Sequence, residues 1–364
     1  MEITNQVITY KQIREGYIIE RDDAGIAAYD VTPLRRKAFL ANPFLKDDSK
    51  CMIYLSRVDG IVRGVVTFFP TQTKISDEFI DSVGASAMQV QDEYQEMALG
   101  TELVTYPFFN ENNKMLVYAG FSSDALPIYK AMKFSVFEMP KMMQPISTRL
   151  IFARLGLKGL LLDMATVFTN CFIRPYVAIT KIGSLHLSKT YKVEKLDVVP
   201  DWVNDMVLND GHKYTEVHNK EWFQWNIDYC FLENPRNKQE FYAIYQNENA
   251  VGFYMIKDRV RTLGGLKKHP MVFRSIVEWG SFDEAKLSEF DIYRLALTNR
   301  PKDVKMIQVA SYDKKVIKKM KRLGFLHHGF AYMGCRDLTK QYKDSKNPDL
   351  WRIRVGYNDV NFGI

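Results

Sequence analysis

A strand that ends in a polar turn and restarts as a helix of small residues is where residue types and spacing in this chain could do chemistry. It runs from Ala85 to Tyr106, ASAMQVQDEYQEMALGTELVTY. The apolar stretch to Val90 reads as a strand, Gln91 to Glu96 as a polar loop, and Ala98-Leu99-Gly100 as the start of a helix. Such a turn gathers several backbone N–H groups at one point, which suits a pyrophosphate. Small side chains at Ala98 and Gly100 let phosphates approach the backbone. A strand-to-helix turn with an alanine and a glycine also serves plain scaffolding, so these residues alone leave both readings open.

Other reactive residue types offer less. Cys51, Cys171, Cys230 and Cys335 lie far apart with no CxxC pair or neighbouring histidine, so neither a metal site nor a disulfide framework is expected, and a reducing compartment fits. Cys51 opens a hairpin with no histidine in sequence reach and reads as core filling rather than as a nucleophile. His327 and His328 lack a third ligand at metal spacing and read as strand-end residues. Lys314, Lys315, Lys318, Lys319, Lys321 and Arg322 crowd one helix that also carries Val316, Ile317, Met320 and Leu323. A solvated face on an amphipathic helix is favoured there over an anion site.

The elements that position these residues form a loose repeat. Met52 to Phe69 reads as two strands around Asp59-Gly60, and Tyr242 to Ile256 as two strands around Asn247-Glu248-Asn249. Tyr54 stands as far from Gly64 as Tyr242 does from Gly252. At nearly equal distances downstream, each hairpin is followed by a helix ending in an aromatic, Phe134 in the first case and Phe325 in the second. Within each copy the expected order is strand, helices, hairpin, strand, helix, strand, helix, strand. In the first copy YIIERD is the opening strand, and Thr32 caps a helix that has Pro33 at its first position. In the second, TYKVEKL is the strand and a helix follows Pro200.

With 364 residues, 46% hydrophobic and 26% charged, the chain must fold, and its length fits about two domains. The expected division is residues 1–145, an apolar helical connector over 146–190, a second unit over 191–345, and a tail over 346–364 containing Trp351, Arg352, Arg354 and Asp359. The start lacks the basic and apolar regions of a secretory signal, and Arg154, Lys158, Asp163 and Arg174 interrupt the connector, so no spanning segment is expected. The protein is expected to be cytoplasmic. Burial of the connector between domains is favoured over a peripheral membrane helix. A net charge of +7 is too small to argue for nucleic acid, though it suits an anionic ligand.

The turn resembles the cofactor loop of the GNAT superfamily of acyl-CoA N-acyltransferases, V-x-P-x-x-(Q/R)-x-x-(G/A)-x-(G/A). Val90, Gln95, Ala98 and Gly100 stand at its spacing, Asp92 replaces its proline, and Glu93-Tyr94-Gln95 is similar to its common E-Y-R run. Ser122 to Phe134, SSDALPIYKAMKF, resembles the family's N-x-x-A-x-x-L-Y-x-x-x-G-F. There Ala125, Tyr129 and Phe134 match, Ser122 replaces the asparagine and Lys133 the glycine. The second copy lacks the loop, carrying Asp283, Glu284 and Glu289 where phosphates would sit, and has Met320 at the tyrosine position.

The resemblance implies an α/β protein of two GNAT-like domains in tandem, each a central mixed, mostly antiparallel sheet flanked by helices. It implies a cytoplasmic N-acyltransferase using acetyl-CoA or another acyl-CoA, without a metal, to acylate a primary amine on a small molecule or peptide by direct attack. The cofactor would lie on Val90, Gln95, Glu96, Met97, Ala98, Leu99, Gly100, Thr101 and Ser122. Tyr129 would protonate the departing thiolate, as a phenol can, although an aromatic on a buried helix face is its plain alternative. Glu93 is the candidate base. Two rivals stay in view, a non-catalytic CoA-binding protein and an aminoacyl-tRNA-dependent ligase of the Fem type.

Overall fold

Turn chemistry sets the two expected hairpins. Asp59 and Gly60 take left-handed φ values of 49° and 82°, and Asn247 and Glu248 take 49° and 69°. These are the conformations that a two-residue hairpin turn requires. The structure, a computed structural model, describes residues 2–17, 33–110, 113–121, 123–229, 237–263 and 269–354. The expected strand YIIERD after Tyr17, the cap Thr32, Cys230 and Asp359 lie outside the described residues.

The chain opens with β1 (Ile3–Thr9), α1 (Tyr10–Arg14), α2 (Pro33–Leu40), β2 (Cys51–Val58), β3 (Ile61–Ile75) and β4 (Glu78–Val90). It continues through α3 (Leu99–Asn110), β5 (Met115–Phe121), α4 (Leu126–Ala131), β6 (Ser135–Pro145), α5 (Arg149–Arg154), α6 (Gly159–Ile182) and α7 (Leu185–Thr190). The second half holds β7 (Lys192–Leu196), α8 (Trp202–Leu208), β8 (Tyr214–Glu216), α9 (Lys220–Asp228), β9 (Lys238–Gln246), β10 (Asn249–Leu263) and β11 (His269–Ser281). It ends with α10 (Glu289–Thr298), β12 (Val304–Ala310), α11 (Lys314–Arg322) and β13 (Leu326–Asp337).

These strands build one mixed, mostly antiparallel sheet, ordered β1-β2-β3-β4-β5-β13-β6-β12-β11-β10-β9-β7 with β8 beside β3. From the centre outward, β5 to β1 on one side correspond to β12, β11, β10, β9 and β7 on the other. The parallel contacts fall at equivalent places, β4 with β5 and β11 with β12. The last strand of each copy is exchanged: β13 lies on β5, and β6 lies on β12. The two sequence repeats therefore share their sheet. One apolar cluster draws Met52, Val65, Phe223, Phe241 and Phe253 from both halves, and Trp225 ties α9 to α2 by donating to the Ala38 carbonyl at 2.8 Å.

The connector departs from expectation. α6 buries only Leu162, Thr166, Asn170 and Val177, while Leu161, Phe168, Phe172 and Ile179 are exposed. The reason lies in its polar residues. The Thr148 N–H donates to Asn170 Oδ1 at 3.0 Å and Arg149 pairs with Asp163 at 2.5 Å, so the polar side is held against the protein and the apolar side turns outward. The short β1 and β8 have no counterpart in the sequence reading. The tail to Arg354 packs on the sheet, with Trp351 buried and bridged to Tyr214.

Candidate functional site

The described part of the site begins where two parallel strands separate. β4 follows β3 to the pair Gly64↔Val90 but meets β5 at one pair, Val83↔Leu116. Beyond that pair the strands part and a gap opens in the sheet. β4 also bulges opposite Val66, which re-aims the strand just before the turn. Gly64 lets α3 approach, since a Cβ there would sit 3.1 Å from Leu103 Cδ1.

At the open end stands the turn. The expected loop is a 3-10 helix, Asp92–Met97, closed by Ala98 in the left-handed region at φ 60°. The Ala98 carbonyl accepts from the N–H groups of Thr101 and Glu102 at 3.0 and 3.1 Å, which starts α3. Glu93, Gln95, Ala98 and Thr101 are exposed, Val90 and Met97 half-buried, and Leu99 and Gly100 buried. Glu96 lies within the 3-10 helix, and Ser122 lies outside the described residues. Gly100 needs no special conformation; its absent Cβ faces Ile128 Cδ1 at 3.5 Å, so α3 and α4 meet there.

Asp92 takes a part the sequence did not show, accepting from Gln95 Nε2 at 2.8 Å. Arg63 was missed altogether. It donates to Gln91 Oε1 at 2.6 Å and its guanidinium lies 4.9 Å from the centre of the Tyr94 ring. Extending the hairpin register past Gly64↔Val90 would have placed this cation beside the turn.

Tyr129 projects from α4 and is buried, with Phe121 at 4.2 Å and Phe134 at 5.2 Å between ring centres. Two residues past that helix the chain takes a conformation that the sequence departure at Lys133 does not suit. Lys133, where the family motif has glycine, takes φ 60°, and its counterpart Gly324 takes φ 79°. A lysine in that region is strained, so Lys133→Gly is expected to stabilise the protein by roughly 1 kcal/mol. Thermal unfolding checks this; a lowered midpoint would contradict it.

The second half carries a cavity of about 1460 Å³ between β6, the starts of α10 and α11, and the tail. Glu284, Glu289, Trp279, Trp351 and Arg354 line it, with Lys314, Lys315 and Lys318 among its basic wall residues. The lysines of α11 are solvated as expected and border this opening as well. Phe137, also in the wall, belongs to an apolar cluster with Val117 and Ala119 of β5, and β13 stands between β6 and β5 in the sheet. Glu289 keeps part of its surface open to the cavity. Burial pushes its carboxyl up to about 7, against the opposing charge of Arg354.

Behind the cavity a buried charge network holds the tail. Arg352 reaches Glu278 at 3.2 Å and Asp210 at 3.0 Å, and donates to the Trp279 carbonyl at 3.0 Å. His218 Nδ1 lies 2.7 Å from Glu278. Burial would raise the pKa of Glu278, but Arg352 and then His218 hold it below the usual carboxylate value. Arg354 stacks 3.7 Å from the Trp279 ring.

By sequence, no family profile and no curated protein matches the chain. By structure, the chain is similar to Saccharomyces cerevisiae N-myristoyltransferase with bound myristoyl-CoA, at TM-score 0.55 and 13% identity over 92% of this chain and 82% of that one. It is also similar to a GCN5-related N-acetyltransferase from Anabaena variabilis, at TM-score 0.53 and 8% identity over 93% and 73%. A probable N-acyltransferase from Enterococcus faecalis matches at TM-score 0.50 and 12% identity over 94% and 74%.

Proposed function

We propose that this chain, which has the fold of the GNAT acyltransferases, is an acyl-CoA-dependent N-acyltransferase. The observation that carries the reading is the parting of β4 from β5 at the point where Ala98, the start of α3 and the Tyr129 helix converge. The repeat over 1–145 binds the cosubstrate, and the repeat over 191–345 shapes the acceptor site. Acetyl-CoA is the first thioester to test, with longer acyl chains beside it.

The proposed cofactor residues are those of the turn, Val90 and Gln95 through Thr101, together with Ser122, and Arg63 adds a cation beside them. A primary amine, on a small molecule or peptide, attacks the thioester carbon as the carbon–sulfur bond breaks. Tyr129 returns a proton to the sulfur, and a carboxylate accepts the one that the amine loses. Glu93 is the base named from the sequence. Glu289 competes for that part, because a carboxyl near neutrality suits a base at physiological pH, and its cavity offers carboxylates to an amine and lysines to an anionic group on the acceptor.

If Glu289 is the base, it must be ionised, so kcat/KM is expected to rise with pH through about 7. Glu289→Gln should remove that rise and Glu93→Gln should not. The opposite pattern returns the part to Glu93. The reading as a whole is tested by CoA release from acyl-CoA with a panel of primary amines. Release that depends on an amine supports it, whereas CoA binding without turnover, or activity only with charged tRNA, overturns it.

A further inference from the structure

We propose that the outward face of α6 docks on the surface of an anionic lipid bilayer. The helix is amphipathic in the inverted sense. Its inward side carries Thr166 and Asn170 beside Leu162 and Val177. Its outward side presents Leu161, Met164, Val167, Phe168, Phe172 and Ile179, each between 61% and 70% exposed. At about 1.5 Å per residue the helix is roughly 36 Å long, so these side chains form a continuous apolar strip of the kind that marks an interaction surface.

Charge selects the occupant. From Arg149 to Thr190 the chain's one acid is Asp163, and it is paired with Arg149. Arg154, Lys158, Arg174, Lys181 and Lys189 make no ion pair among the described residues, and they flank or border the strip. A second copy of the chain on this face would set these cations against their own kind. A bilayer with acidic headgroups sets phosphates against the cations and acyl chains against the strip, which is how an interfacial helix binds. No helix among the described residues is long and apolar enough to cross a membrane, so α6 lies on the surface.

The test uses the full chain in co-sedimentation with vesicles of phosphatidylcholine alone and of phosphatidylcholine with phosphatidylglycerol. Binding is expected to the second, at least about tenfold stronger than to the first, and to weaken with added salt. The double substitution Phe168→Glu with Phe172→Glu should lower binding by about a hundredfold while leaving the unfolding midpoint unchanged, since both side chains are exposed. Failure to bind either vesicle overturns the proposal. So does a dimer in solution that this double substitution dissociates, because the strip would then belong to a second copy.

Discussion

Replacing Tyr129 by phenylalanine is expected to lower turnover by about 10²–10⁴-fold, the usual contribution of a general acid, while leaving CoA affinity nearly unchanged. The hydroxyl is asked to act on the departing sulfur and not on the bound nucleotide. The ring itself packs against Phe121 and Phe134, and phenylalanine keeps that packing, so the comparison isolates the hydroxyl. Pre-steady-state CoA release with the fastest amine is the measurement, because chemistry must limit the rate for the loss to appear. Equal rates under that condition would leave Tyr129 a packing residue.

Arg352→Ala is expected to destabilise the protein by about 3–5 kcal/mol, the range for stranding buried charges. Arg352 is buried between Glu278 and Asp210, and its loss leaves both carboxylates without that cation. Burial would raise the pKa of Asp210 as well, but its His212 contact and then Arg352 hold it low. Both lowered carboxyl groups contribute stability above their unfolded values of about 4, and that contribution is lost as pH falls through the folded values. The difference between wild type and variant should therefore shrink toward acid. Denaturant titrations at neutral and acidic pH decide this; a difference independent of pH would reduce Arg352 to packing. The same substitution frees the tail that brings Trp351 and Arg354 to the cavity, so activity should fall even at temperatures where the variant stays folded.

What was legible in the sequence was local. Asp59-Gly60 and Asn247-Glu248 announced their hairpins, and the change from apolar strand to small-residue helix announced the turn at Ala98. The repeat was visible in spacing, and the left-handed φ at both Lys133 and Gly324 gives it a physical cause, since each helix must stop the same way. What stayed hidden was pairing over long sequence distance. Nothing near Ser135 or Leu326 signals that β6 and β13 trade halves, because an apolar strand fits any sheet edge of suitable register. Arg352 and Glu278 meet only once the tail is laid across the sheet. The apolar connector misled for a related reason: composition shows that α6 has a greasy side but not which side the fold leaves outward, and that was decided by Asn170 and Asp163 finding partners in Thr148 and Arg149.

On the proposed function, the turn at Ala98 holds an acyl-CoA and its counterpart in the second half does not. Calorimetric titration of the full chain with CoA tests it most directly. One site per chain is expected, with loss of binding in Ala98→Glu, which sets a carboxylate at an exposed position on the turn without disturbing the core. Two equivalent sites per chain, or undiminished affinity in Ala98→Glu, would contradict it.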